Sequence, residues 1–112
     1  MLKIDNFNDV PKPTLDIFEF LGNADYRIKY IDCEICICRK IGNYEIELSN
    51  CDKTKMSVNL YVWELAADGT PAQVVADKYD IPSKTELKEI LDRIETSLTD
   101  GTSNNLTAVI NK

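Results

Sequence analysis

The sequence predicts a single α+β domain spanning residues 1–112: an antiparallel meander of four to five strands, a C-terminal helix packed on one face, and a short N-terminal helix. Three observations carry this reading. Runs of alternating apolar and polar residues fill 26–66 and 72–79, the period-2 pattern of half-buried strands. Two of the breaks between them, Gly42-Asn43 and Asp68-Gly69, are tight hairpin signals. Last, Ser83-Lys84-Thr85-Glu86 is a capping box, in which the serine hydroxyl and the glutamate satisfy each other's orphan backbone N–H groups before a helical apolar repeat.

Residues 1–13 are polar, carry Pro11 and Pro13, and read as an extended arm. Thr14 is placed to cap a helix over Leu15 to Leu21, closed by Gly22-Asn23. Tyr26, Ile28 and Tyr30 then alternate with Arg27 and Lys29. From Cys33 the apolar phase slips by one residue, so a turn at Ile31-Asp32 or a bulge is required, and two strands fit ordinary strand lengths better than one. The Gly42-Asn43 turn pairs Ile41 with Tyr44, Lys40 with Glu45 and Ile37 with Leu48, which brings the apolar positions of both strands to one face. Only Arg39, opposite Ile46, falls on the wrong side.

A polar loop over Cys51–Lys55 leads to a strand from Met56 to Ala66, with Met56, Val58, Leu60 and Val62 inward. A two-residue turn at Asp68-Gly69 would return the chain through a strand at 72–79. The capped helix runs to about Thr99, with Leu87, Ile90, Leu91, Ile94 and Leu98 on one side and Gly101 to close it. The tail, 102–112, is either loose or a short added edge strand.

Composition narrows the function. Thirteen Lys and Arg stand against nineteen Asp and Glu, a formal charge of −6, and the cations are scattered among acids. Binding duplex nucleic acid or an anionic membrane needs a basic face, so both are disfavoured, and a basic protein partner fits better. No run approaches the roughly 20 apolar residues of a membrane span. No apolar segment of the signal-peptide kind follows Met1, and a cytoplasmic location with reduced cysteines is expected.

The four cysteines match the number of ligands in a structural zinc site, but their spacing does not suit one. Cys33 and Cys36 lie three apart in a strand and point to opposite faces, and no helix N-terminus follows Cys36 to activate a thiol. Free thiols with no metal are expected. There is no histidine, hence no general base of the commonest kind, and no nucleotide-binding or hydrolase motif. The carboxylates Glu45, Glu47, Glu86, Glu89, Asp92 and Glu95 fit solvated faces. Neither an enzyme nor a cofactor is expected.

The Asp68-Gly69 hairpin puts Trp63 opposite Val74, Tyr61 opposite Ala76 and Leu65 opposite Ala72. All of these lie on the face away from Leu60 and Val62. The candidate partner-binding surface is therefore Tyr61, Trp63, Leu65 and Val74, rimmed by Glu45, Glu47 and Glu64. If the N-terminal helix covers it, the surface is a second core. If not, aromatic anchors with an acidic rim suit another protein or a second copy of the chain. The expected function is non-enzymatic protein binding, in its most concrete form a small acidic inhibitor that blocks a basic or nucleic-acid-binding surface, the type of antagonist that phages and mobile elements encode. The alternative is a DNA-binding regulator with a helix-turn-helix in 70–99, where Thr70-Pro71 would open its first helix.

Overall fold

Five antiparallel strands lie side by side in chain order, and every helix described here packs on the same side of them. The computed structural model describes residues 10–22, 25–31, 34–100 and 106–111. The elements are α1 (Lys12–Leu21), β1 (Arg27–Ile31), β2 (Glu34–Ile41), β3 (Tyr44–Ser49), β4 (Val58–Leu65), β5 (Pro71–Ile81), α2 (Lys84–Thr99) and α3 (Leu106–Ile110). The α+β meander expected from the sequence is the observed architecture.

The phase slip after Tyr30 resolves into two strands, which pair Ile28 with Ile37 and Ile31 with Glu34. Gly42, at φ 58°, turns β2 into β3 in the expected register, with Ile41 opposite Tyr44, Lys40 opposite Glu45 and Ile37 opposite Leu48. Arg39 does sit on the helix-covered face, and the structure supplies the reason. Its Nη2 donates to Glu95 Oε2 of α2 at 3.1 Å, and its guanidinium carbon stands 5.4 Å from the centre of the Tyr26 ring. A side chain that breaks the alternation of its own strand thus ties the sheet to a helix 56 residues away, combining an ion pair with a cation–π contact.

The β4–β5 connection departs from expectation. Gly69 N–H donates to Ala66 O (2.9 Å) and Ala66 N–H to Thr70 O (2.7 Å). Ala67, Asp68 and Gly69 therefore form a three-residue loop with the glycine at φ 87°, the turn-plus-bulge alternative to a two-residue hairpin. The Asp68 carboxylate fixes it by accepting from both the N–H and the hydroxyl of Thr70. Trp63 faces Val74 as expected, but Val62 faces Ala76, Tyr61 faces Asp77 and Leu65 faces Pro71. Val75 is the extra residue of a bulge. It turns Ala76 under the helices, where it is buried, and sends Asp77 to the other face.

Strand β5 occupies the segment in which a helix-turn-helix over 70–99 would need its first helix, so that motif is not formed. Ser83 does cap α2: Glu86 N–H donates to Ser83 Oγ at 3.1 Å. Leu87, Ile90, Leu91 and Ile94 are buried against the sheet, as the apolar spacing requires. The expected closure at Gly101 lies outside the described residues.

Both ends differ from the sequence reading. Helix α1 begins at Lys12, so residues 12–13 are helical and not arm; residues 10–11 precede the helix, and the rest of the expected arm, 1–9, lies outside the described residues. Pro13 in the first turn loses no hydrogen bond there, and Thr14 is not the cap. It is fully buried, and its Oγ1 has no hydrogen-bond partner among the described residues. A buried hydroxyl without a partner costs about 1–3 kcal/mol relative to a satisfied one. Thr14→Val is therefore expected to raise stability by about 1 kcal/mol, read as a higher urea midpoint at unchanged m-value. A lower midpoint would show that the hydroxyl is satisfied in solution. The C-terminal segment is neither loose nor an edge strand over 106–110. It forms α3, which packs Leu106 and Ile110 into the same core and accepts a hydrogen bond from Arg93 Nε at Val109 O (3.0 Å).

Candidate functional site

Ile17 and Leu21 of α1 join the single core cluster together with α2, α3 and the inward residues of the sheet. The N-terminal helix is thus on the already covered side, and among the described residues no helix lies over the other face. Alternation along the strands fixes which side chains that face carries. One cross-strand row runs Lys40, Glu45, Trp63, Val74, and the next runs Arg27, Cys38, Glu47, Tyr61, Asp77. Tyr79 continues the surface along β5, its ring 5.7 Å from that of Tyr61 in an edge-on arrangement. Val74 and Tyr79 are 39% and 53% exposed, a large apolar display for a sheet position.

The polar groups on this face orient the aromatic ones. Trp63 Nε1 donates to Glu47 Oε1 at 2.9 Å, which pins the indole across β3 and β4. Tyr79 donates its hydroxyl to Asp77 Oδ2 at 3.0 Å, and that bond pushes the Tyr79 phenol up from its ordinary pKa. Lys29 reaches across from β1 to Glu45 Oε2 at 2.7 Å, and Glu45 is only 6% exposed. The bonds to Glu47 and Asp77 hold the Trp63 and Tyr79 rings in place on the sheet.

Of the seven residues expected at this surface, Tyr61, Trp63 and Val74 are brought together on it. Glu45 and Glu47 share the face but do not form a rim: they lie within it, engaged by Lys29 and Trp63. Two assignments are corrected. Glu64 has the parity of Val62 and stands opposite Tyr44 and Gln73, accepting from Gln73 Nε2 at 2.9 Å. Leu65 keeps the parity of Trp63 on this face and lies outside the helix-side core cluster, but it is buried at the hairpin end and is not part of the exposed surface. The residues that sequence reasoning missed are Asp77 and Tyr79, which the Val75 bulge moves onto the face. An unbroken alternation from Val74 would have put Ala76 and Lys78 there instead.

The β1–β2 half of the face has a different character. A concavity of about 410 Å³ is lined by Arg27, Lys29, Lys40, Cys38 and Glu45, together with Asp25 and Arg39. Arg27 and Lys40 are exposed. The face is therefore divided, with Arg27, Lys29 and Lys40 over β1 and β2, where Glu34 stands at the far end of β2, and aromatic rings with carboxylates over β3 to β5.

The thiols are not chemically poised. Cys36 and Cys38 lie on this face and Cys51 in the core, all three buried and free. Burial pushes Cys38 and Cys51 up to about 12, and Cys36 higher still. All three are thus protonated at neutral pH and poor as nucleophiles or ligands. Cys33, the first of the expected cysteine set, lies outside the described residues. Among the described residues no three His, Cys, Asp or Glu side chains are grouped to hold a metal, and no helix is long and apolar enough to cross a membrane. On α2, Asp92 pairs with Lys88 and Glu95 with Arg39. Comparison with protein families, characterised proteins and solved structures finds no match to this chain.

Proposed function

We propose that this chain is a non-enzymatic protein-binding module that docks a basic surface of another protein through Tyr61, Trp63, Val74 and Tyr79, acting as a small acidic inhibitor of a basic or nucleic-acid-binding site. The observation that carries the reading is the composition of the β4–β5 half of the face opposite the described helices. It presents three aromatic rings and a valine beside Glu47 and Asp77. The lone cation of these two strands, Lys78, pairs with Leu60 on the opposite side. A partner's arginine can stack its guanidinium on a tyrosine or tryptophan and reach Asp77 with its N–H groups. The net charge of −6 favours encounter with a basic surface over an acidic one. Buried, unpaired thiols at Cys36, Cys38 and Cys51 fit a cytoplasmic setting, where cysteines stay reduced.

The test uses the intact chain as immobilised bait, followed by affinity measurement with the purified partner it retains. Trp63→Ala is expected to weaken binding at least about 30-fold, about 2 kcal/mol, while lowering stability by less than about 1.5 kcal/mol. Parent affinity should fall as salt rises. If Trp63→Ala unfolds the chain, or binds as the parent does, the reading fails.

A further inference from the structure

The two halves of the face opposite the described helices are complementary to each other, and the geometry points to a second copy of this chain as its occupant: a face-to-face homodimer about a twofold axis parallel to β3. The inference rests on reading this face as a docking surface and not on the identity of any other partner.

Strand β3 is the middle of the sheet, with two strands on either side. A twofold axis along it, lying between two stacked sheets, places β1 over the partner's β5 and β2 over the partner's β4 while keeping each cross-strand row in line. Sheets stacked this way run nearly aligned, as in β-sandwiches. In the row Arg27, Cys38, Glu47, Tyr61, Asp77, the operation sets Arg27 against the partner's Asp77 and Cys38 against the partner's Tyr61. In the row Lys40, Glu45, Trp63, Val74, it sets Lys40 against the partner's Trp63. Each cation meets a carboxylate or a ring face, and because the interface is isologous every such contact occurs twice. Shape agrees with charge. The 410 Å³ concavity lies over β1 and β2, opposite the ridge of rings from the partner's β4 and β5.

Two features set the strength. Five strands about 4.8 Å apart, and some six residues of each at about 3.3 Å, give roughly 500 Å² per copy, below the size of standard stable interfaces. Glu45 and Glu47, both on β3, each approach their own copy at the axis, and each copy carries a net charge of −6. The dimer is therefore weak and reversible, with a dissociation constant of about 10–500 µM at low salt. It buries the same rings that serve the proposed partner, so dimer and complex exclude each other.

Sedimentation equilibrium from 10 µM to 1 mM protein in 20 mM salt tests this, with circular dichroism confirming the fold of each variant. The parent should show a monomer–dimer equilibrium that shifts to monomer in 500 mM salt. Arg27→Asp and Asp77→Arg should each weaken it at least tenfold, and the double variant should restore it to within about threefold, which a merely structural effect of either residue would not do. A parent that stays monomeric to 1 mM, or a dimer indifferent to the reversals, overturns the inference. A monomeric parent whose Trp63→Ala variant folds and loses its partner removes the dimer but leaves the proposed function. A dimer with charge rescue, alongside partner binding that ignores Trp63, does the reverse.

Discussion

Ile110→Asp is expected to lower the unfolding free energy by about 3–5 kcal/mol, enough to populate unfolded or partly undocked chains at 37 °C. Ile110 is fully buried in the shared core at the end of α3, and a carboxylate placed there is taken out of water into an apolar surrounding. The chain can escape the full charge penalty by releasing α3, but release exposes Leu106 together with the surface of α2 and β5 that α3 covers. The loss is thus capped by the docking energy of α3, and a chain ending at Asp100 should be destabilised by a similar amount. Urea denaturation followed by circular dichroism measures both. A loss below about 1 kcal/mol in both variants would mean that the C-terminal helix contributes nothing to the fold, against the cost that burial of this kind implies.

Leu60→Ala is expected to cost about 3–4 kcal/mol, while Tyr61→Ala, its immediate neighbour, costs less than about 1.5 kcal/mol. Leu60 is fully buried, with Leu48 beside it on β3 and α2 among its core neighbours. Truncation there removes three carbons and leaves a cavity that the close-packed surroundings fill only in part. Tyr61 points the other way and is half-buried, so its loss takes away an edge-on ring contact and some apolar cover without opening the core. With total stability of about 5–15 kcal/mol for a domain of this size, the first substitution removes a large fraction and the second does not. Equal losses from chemical denaturation would show that both sheet faces are cores. The aromatic surface would then be structural, and both the proposed docking and the self-association would fall with it.

What the sequence determined by itself is whatever a few neighbouring residues decide. The capping box at Ser83–Glu86 and the apolar repeat through Ile94 specify α2, because a helix terminus is satisfied by side chains three positions apart. The glycine at position 42 specifies the β2–β3 turn, and a turn of known length sets the register of both its strands. The placement of Tyr61, Trp63 and Val74 on one face followed from alternation over short spans. Even the anomaly at Arg39 was legible as an anomaly, though its partner Glu95 was not.

Tertiary structure decided the rest, wherever two local solutions lie within a few kcal/mol of each other. A bulge at Val75 and a regular alternation differ by one residue in pairing, and what selects the bulge is the burial of Ala76 beneath the helices rather than any signal in 71–81. That choice brings Asp77 and Tyr79 to the candidate site and turns Lys78 away. The side of the sheet taken by α1, the docking of the five-residue α3 and the loss of Glu64 from the surface belong to the same class. A helix as short as α3 is not stable alone in water, so it exists only because α2 and β5 offer Leu106 and Ile110 a place to be buried. Contacts made by residues tens of positions apart leave no periodic trace in the chain, and those contacts are what decide which face of this sheet the helices cover.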